Sequence, residues 1–217
     1  MRHRKICPGC GGNLTRSSIR LPRQPVVLNY RFASVTEARR VARRDLVLRQ
    51  CAGCGLVFNA AFDPKAIPYD TRYENRQCFS PAFQRHLETL ATRLSAHPGL
   101  RGGRILEIGC GKGDFLKVLC QRARASGTGY DTTYQGRARW TRPRLVFHRN
   151  YMTAADVRGV FNAVICRHVV EHVPAIGSFL RELRATAAAA GDPVVVIETP
   201  SLEWIERHLA LSDIFYE

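Results

Sequence analysis

Two things are scarce in this 217-residue chain: long apolar runs and acid. No hydrophobic stretch approaches the ~18 residues that a membrane-spanning helix needs, so a transmembrane span is not expected. Met1-Arg2-His3-Arg4-Lys5 leads straight into Ile6-Cys7 without the apolar core of a secretory signal, which points to a cytoplasmic protein. In that reducing setting eight cysteines read as thiols and metal ligands rather than as disulfides. Acids number 18 against 33 Lys and Arg, giving a net charge of +15. The deficit is local. Residues 1–50 hold twelve Lys and Arg against only Glu37 and Asp45, and the stretch Arg137 to Arg149 contains no acid at all. Clustered positive charge suits a phosphate-rich partner, and it equally suits a plain solvated surface. Material for a core is not lacking, with 45% of residues hydrophobic.

What is present centres on residues 104–114. Ile105, Leu106 and Ile108 predict a short buried parallel strand, which breaks into Gly109, Gly111 and Gly113 before Asp114 caps an apolar helix running to about Arg124. Glycines at such a turn let the backbone come close to a ligand, and the helix aims its positive N-terminal dipole at the same place. The spacing is E-x-G-x-G-x-G, not the G-x-G-x-x-G of a nicotinamide site, and Glu107 lies inside the strand end. Gly127-Thr128-Gly129-Tyr130-Asp131 predicts a second strand, ending in a carboxylate placed to accept hydrogen bonds from the ribose hydroxyls of an adenosine. A carboxylate at Glu107 suits a cationic ligand better than a pyrophosphate. S-adenosylmethionine, a sulfonium that carries an amino acid and a nucleoside, satisfies both acids.

Leu145–His148, Val160–Cys166 and Val194–Ile197 predict three further strands. A helix with Ile176, Phe179, Leu180 and Leu183 on one face precedes the last of them, and Ser80-Pro81 opens an earlier helix with Phe83, Leu87, Leu90, Ala91 and Leu94 on one face. Strands alternating with helices predict an α/β fold, a doubly wound, mostly parallel Rossmann-like sheet with its ligand at the carboxyl ends of the strands. Ahead of it, Cys7-Pro8-Gly9-Cys10 and Cys51-Ala52-Gly53-Cys54 form two C-x-x-C turns, whose four thiolates can close a tetrahedral, structural Zn²⁺ site; two redox or merely buried pairs are the other reading. Pro22, Pro25 and Val26-Val27-Leu28 predict an extended segment, Thr36–Arg44 a short basic helix with a solvated arginine face, and Leu46–Leu48 a strand entering the second turn. His168-Val169-Val170-Glu171-His172 matches the inverted zinc-protease pattern H-x-x-E-H. That chemistry needs one continuous helix, whereas His168 follows a buried strand, Pro174 restarts the chain, and no clear third ligand is present.

Taken together, the paired C-x-x-C, Cys54-Gly55-Leu56-Val57-Phe58, Tyr69-Asp70…Tyr73…Ser80, Glu107–Asp114, Cys166–Val173 and Glu198-Thr199-Pro200 resemble class I S-adenosylmethionine-dependent methyltransferases. More closely, the pattern is similar to bacterial proteins that join an N-terminal zinc-binding domain to such a methyltransferase, among them the deoxysugar C-methyltransferases. The resemblance implies zinc on Cys7, Cys10, Cys51 and Cys54, and the methionine part of the cofactor wrapped by Gly109, Cys110 and Gly111. It further implies Asp131 on the ribose, His168 beside the sulfonium, and Tyr69 and Ser80 as a lid. It divides the chain into a zinc domain (1–62), a linker and helix (63–98) and a methyltransferase domain (99–217) cut short after the fifth strand, which would leave that strand as a sheet edge. The sugar enzymes carry Tyr-His-Glu-His after the fifth strand; here Phe215-Tyr216-Glu217 stops before the last His, leaving Glu217, Tyr216 and His168 as candidate bases. The implied acceptor is a small molecule such as a nucleotide-linked sugar, with C-methylation favoured. An RNA methyltransferase gripping its substrate through the basic zinc lobe, and a non-catalytic zinc module that binds nucleic acid, are the alternatives.

Overall fold

In a computed structural model that describes residues 3–67, 74, 76, 78–210 and 213–216, the chain divides into two units. The first takes residues 1–74, 172–179 and 200–217, and the second takes 75–171 and 180–199. Segments 172–179 and 200–217 therefore fall outside the unit that holds the sheet strands, although the sequence suggests one domain over 99–217.

In the first unit, β1 (Leu14–Pro25), α1 (Val35–Arg39), β2 (Arg43–Cys51) and β3 (Val57–Asn59) follow in order, and the strands form an antiparallel sheet β1-β2-β3. Ser34 caps α1 by accepting from the Glu37 N–H at 3.1 Å, while the Glu37 carboxylate accepts from Ala33 N–H at 3.0 Å. The helix is shorter than the expected basic one, because Arg43 and Arg44 are drawn into β2. The two C-x-x-C turns are built alike. Cys7 N–H donates to Gly12 and Cys51 N–H to Leu56, and each turn closes on a glycine at φ +76°, Gly11 and Gly55. A small core of Val26, Val27, Ile67 and Tyr216 lies alongside Phe62 and Tyr30. The first turn also holds segment 172–179: Gly177 N–H donates to Pro8 O at 3.2 Å, and Arg4 donates to Pro174 O at 2.8 Å.

The second unit opens with α2 (Pro81–Ser95), capped by Ser80, and continues through β4 (Arg104–Ile108), α3 (Asp114–Ala123), β5 (Ser126–Tyr130), β6 (Arg139–Thr141), β7 (Arg144–His148) and β8 (Ala163–Arg167). Then come α4 (Ile176–Ala189) and β9 (Val194–Glu198), after which α5 (Leu202–His208) returns to the first unit. The six strands run β6-β7-β5-β4-β8-β9, all parallel except β6, which pairs antiparallel with β7. The mostly parallel α/β sheet is the one the strand–helix alternation predicts. Leu87 and Ala91 of α2 pack with Phe115, Leu116 and Leu119 of α3 over Ile105 and Ile165. β8 is buried along its whole length, as a central parallel strand should be. β9 stands at the edge with Val194, Val195 and Ile197 exposed. No described helix is long and apolar enough to cross a membrane.

Candidate functional site

The turn between β4 and α3 is tied to the tip of β5. The Tyr130 carbonyl accepts from both Gly109 N–H (2.8 Å) and Cys110 N–H (3.1 Å), and the Cys110 carbonyl accepts from Gly113 N–H at 2.8 Å. Gly109 and Gly111 both sit at positive φ, +71° and +55°, but for different reasons. A Cβ on Gly109 would lie 2.2 Å from Val169 Cγ2, so that glycine lets the chain after β8 close down on the turn. A Cβ on Gly111 would meet nothing within 4 Å. Its backbone faces open space and is where a ligand can approach. Cys110 turns its thiol inward, 2.8 Å from where a Gly129 Cβ would be, so only its backbone faces the turn.

Asp131, just past β5, locks this turn. Its Oδ2 accepts from Gly111 N–H at 2.8 Å, and its Oδ1 accepts from the N–H and the hydroxyl of Thr133, each at 2.7 Å. Oδ2 thus carries one bond and Oδ1 two, which leaves Oδ2 the freer acceptor.

Next to the turn, three ionisable side chains share one face of the sheet. Glu107 on β4 pairs in register with Ile165, two residues before Arg167 on β8, and Arg167 pairs in register with Glu198 on β9. Arg167 is only 8% exposed; its Nε donates to Glu198 Oε2 and its guanidinium lies 4.0 Å from the centre of the Phe115 ring. Glu198 Oε1 accepts from His86 Nε2 at 3.0 Å and lies 3.8 Å from His168 Nε2. His168 has Glu171 Oε1 3.4 Å from its other nitrogen and holds a left-handed backbone at φ +51°. Strain of that kind in a non-glycine residue gathers at functional sites. Burial works against ionising Glu198, yet the hydrogen bond and charge of Arg167, with His86, hold it below the usual carboxylate range. Glu107, 2% exposed, goes the other way: burial pushes it up to about 8, with Arg167 opposing and Asp131 adding to the rise.

Arg167 is the residue that sequence reasoning misses. Its one signal is a charged residue ending the otherwise apolar run Ala163-Val164-Ile165-Cys166. Other candidates take different places. Ser80 is the N-cap of α2, its hydroxyl accepting from Phe83 N–H, so its oxygen serves the helix rather than a lid. Tyr216 is 1% exposed in the core of the first unit, donating to Ala61 O and accepting from Asp63 N–H, which accounts for it as a packing residue and not as a base. Tyr69 and Glu217 lie outside the described residues. The H-x-x-E-H stretch forms only one tight turn, Val170–His172, not the α-helix a zinc protease requires. The sulfurs of Cys7, Cys10, Cys51 and Cys54 lie within 4.8 Å of one another, a set that can hold one metal ion.

Residues 75–214 match a protein family described as "Methyltransferase domain". The chain belongs to this family. No curated protein matches it. Among solved structures, the plantazolicin methyltransferase BpumL in complex with SAH is 18% identical, with 70% of this chain and 59% of that one covered at a TM-score of 0.44. The sugar N-methyltransferase KedS8 from Streptoalloteichus sp ATCC 53650 is 23% identical over 54% of this chain and 51% of its own, TM-score 0.38. Magnesium protoporphyrin IX methyltransferase (ChlM) from Synechocystis PCC 6803 with bound SAH is 19% identical over 59% of this chain and 63% of its own, TM-score 0.37. The chain spans less than two thirds of the length of each. A methyltransferase needs a methyl donor, and the turn of this domain fits a cationic adenosyl amino acid. Gly111 leaves open room at the backbone, while buried Glu107 Oε2 has no hydrogen-bond partner among the described residues.

Gly109→Ala is expected to destabilise the domain severely, because its methyl group strikes Val169, whereas Gly111→Ala should fold with a loss of about 1 to 2 kcal/mol from its left-handed backbone alone. Urea denaturation of both variants reads this directly, and equal losses would contradict the division of roles. A second test uses pH. An unfolded glutamate ionises near 4.5 while the folded Glu107 keeps its proton to about 8, so the native state binds more protons between those values and stability falls as pH rises across them. Glu107→Gln should remove that fall; a variant whose pH–stability curve runs parallel to the wild type would count against it.

Proposed function

We propose that the chain is an S-adenosylmethionine-dependent methyltransferase acting on a small molecule, with a nucleotide-linked sugar as the acceptor class and carbon as the favoured acceptor atom. The observation that carries the donor assignment is the open backbone at Gly111, set between two acids, Glu107 and Asp131. S-adenosylmethionine, when bound, supplies a methyl group activated by a sulfonium. Gly109, Cys110, Gly111 and Gly113 offer backbone to its methionine part, and Asp131 Oδ2 accepts from a ribose hydroxyl. Glu107 Oε2, without a partner among the described residues, is left to a polar group of the ligand, and a cation brought beside it would favour its ionisation. Alignment of acceptor and methyl is the main work of such a site.

His168 is the base in this reading. Its imidazole is 43% exposed in the side chain and stands between Glu171 and Glu198, so it can take the proton from an acceptor carbon or hydroxyl at one nitrogen while a carboxylate orients the other. Cys7, Cys10, Cys51 and Cys54 hold a structural Zn²⁺ with no open position, and that ion supplies folding free energy to the small first unit. A nucleic-acid acceptor is the second reading. It is favoured by the hairpin β6–β7, where Arg139, Arg142 and Arg144 are exposed in a stretch without acids; steeply salt-dependent RNA binding would select it over the sugar.

Isothermal titration with S-adenosylmethionine should show binding to the wild type and at least tenfold weaker binding to Asp131→Ala, the loss of a hydrogen bond to a charged group. Equal affinities would remove the ribose assignment. Elemental analysis of the purified protein should give one zinc per chain, lost in Cys51→Ser together with the cooperative unfolding of the first unit. A metal-free protein that unfolds like the zinc-loaded one would rule out the structural ion.

A further inference from the structure

On the side of the sheet away from the glycine turn, the amino ends of β5 and β7 and the end of α3 border an open cleft of about 560 Å³. Ser126 opens β5 and lines the cleft, whereas Asp131 follows the other end of that strand, about 16 Å away at ~3.3 Å per residue. Three arginines line it from two separate segments: Arg124 from the end of α3, and Arg142 and Arg144 from the β6–β7 hairpin. All three are exposed, and none has a hydrogen bond or ion pair from its side chain among the described residues. The local sequence supplies no counterion. Between Phe115 and Asn150 its one acid is Asp131, at the far end of the strand, and Glu88 of α2 is taken up by Arg122. The end of α3 supplies none either, because the carbonyls of Cys120, Gln121 and Ala123 already accept from the N–H groups of Ala125, Arg124 and Gly102. Like charges set around one concavity raise its potential and draw anions into it.

We propose that this cleft binds a compact polyphosphate, the chemistry shared by nucleoside di- and triphosphates, with Arg124, Arg142 and Arg144 taking the phosphate oxygens. Arginine suits that work because its guanidinium stays charged and can pair with a phosphate through two parallel N–H bonds. Gln121, Ser126 and Thr141 also line the cleft, and they add an amide and two hydroxyls whose side chains make no hydrogen bond among the described residues. The volume falls within the range of about 300 to 1,000 Å³ typical of small-ligand sites. That favours one compact anion over the extended backbone of a nucleic acid. Such a backbone would draw equally on Arg137, Arg139 and Arg149, which belong to the same basic stretch but do not line the cleft. The cleft is a second ligand site, at the opposite strand ends from the donor crevice, and it does not depend on the donor assignment.

Titration calorimetry of the full chain with inorganic tripolyphosphate tests this. The wild type should bind one tripolyphosphate, and Arg124→Gln, Arg142→Gln and Arg144→Gln should each bind it about tenfold more weakly, the loss of one bond to a charged group. These side chains are exposed, so each variant should keep the wild-type melting temperature. Arg85→Gln removes the same charge from α2, next to His86 and so beside the carboxyl end of β9, and should bind like the wild type. Binding should persist at saturating S-adenosylmethionine. Displacement of tripolyphosphate by ATP assigns the cleft to nucleotides, and displacement by pyrophosphate but not ATP assigns it to free polyphosphate; either result supports it. Absence of binding, an equal loss in Arg85→Gln, or displacement by S-adenosylmethionine overturns it. So does a single-stranded RNA that binds more tightly than tripolyphosphate and loses affinity evenly in Arg137→Gln, Arg139→Gln and Arg142→Gln.

Discussion

Glu107, Arg167 and Glu198 stand in a row across β4, β8 and β9, and the need to keep the Arg167–Glu198 pair compensated beside a buried, protonated Glu107 constrains much of the second unit. Burying one unpaired charge costs several kcal/mol, which is a large part of a domain's whole stability. The chain meets that cost from several elements at once. α3 contributes the Phe115 ring, α2 sends His86 to Glu198, and the loop after β8 brings His168 to the same carboxylate. Removing Arg167 would take from Glu198 the hydrogen bond and charge that hold its carboxylate ionised. Moving α2 would leave Glu198 short of a partner. The charged row therefore fixes which ends of the strands stand together, and those are the ends where a parallel sheet opens its crevice.

The glycine turn is the complementary constraint, made of backbone rather than charge. Tyr130's carbonyl and Asp131's carboxylate gather the N–H groups of Gly109, Cys110 and Gly111, so the strand beside the turn holds it together with the turn's own Gly113–Cys110 bond. What is left open after this gathering is the outer side of Gly111. The first unit uses a different economy. Its apolar cluster is small, and two matched cysteine turns bring four sulfurs together in place of a larger core.

Local features were legible in the sequence and long-range ones were not. Gly109, Gly111, Asp131 and the strands around them announce themselves through spacing, because a turn and its flanking strand lie within a few residues of each other. Beyond its proline-flanked end the long β1 strand leaves no mark in the sequence, because Thr15-Arg16-Ser17-Ser18 is polar and largely exposed and no period of two picks it out. β6 is three residues long and hidden among arginines, visible only once β7 is there to pair with it. Ser80 could be read as a helix cap or as a lid, and the cap is what its oxygen does. Arg167 matters only through the strands on either side of β8, an order no stretch of sequence reveals. Tyr216 belongs to a core formed with Val26, Val27 and Ile67, residues about 150 or more positions away in the chain.

The most direct test of the donor site is a crystal structure with S-adenosylhomocysteine bound. Its ribose is expected beside Asp131 and its thioether chain along Gly111. A nucleoside found elsewhere on the domain, or a crevice at the carboxyl ends of β4 and β5 that stays empty at saturating ligand, would contradict it.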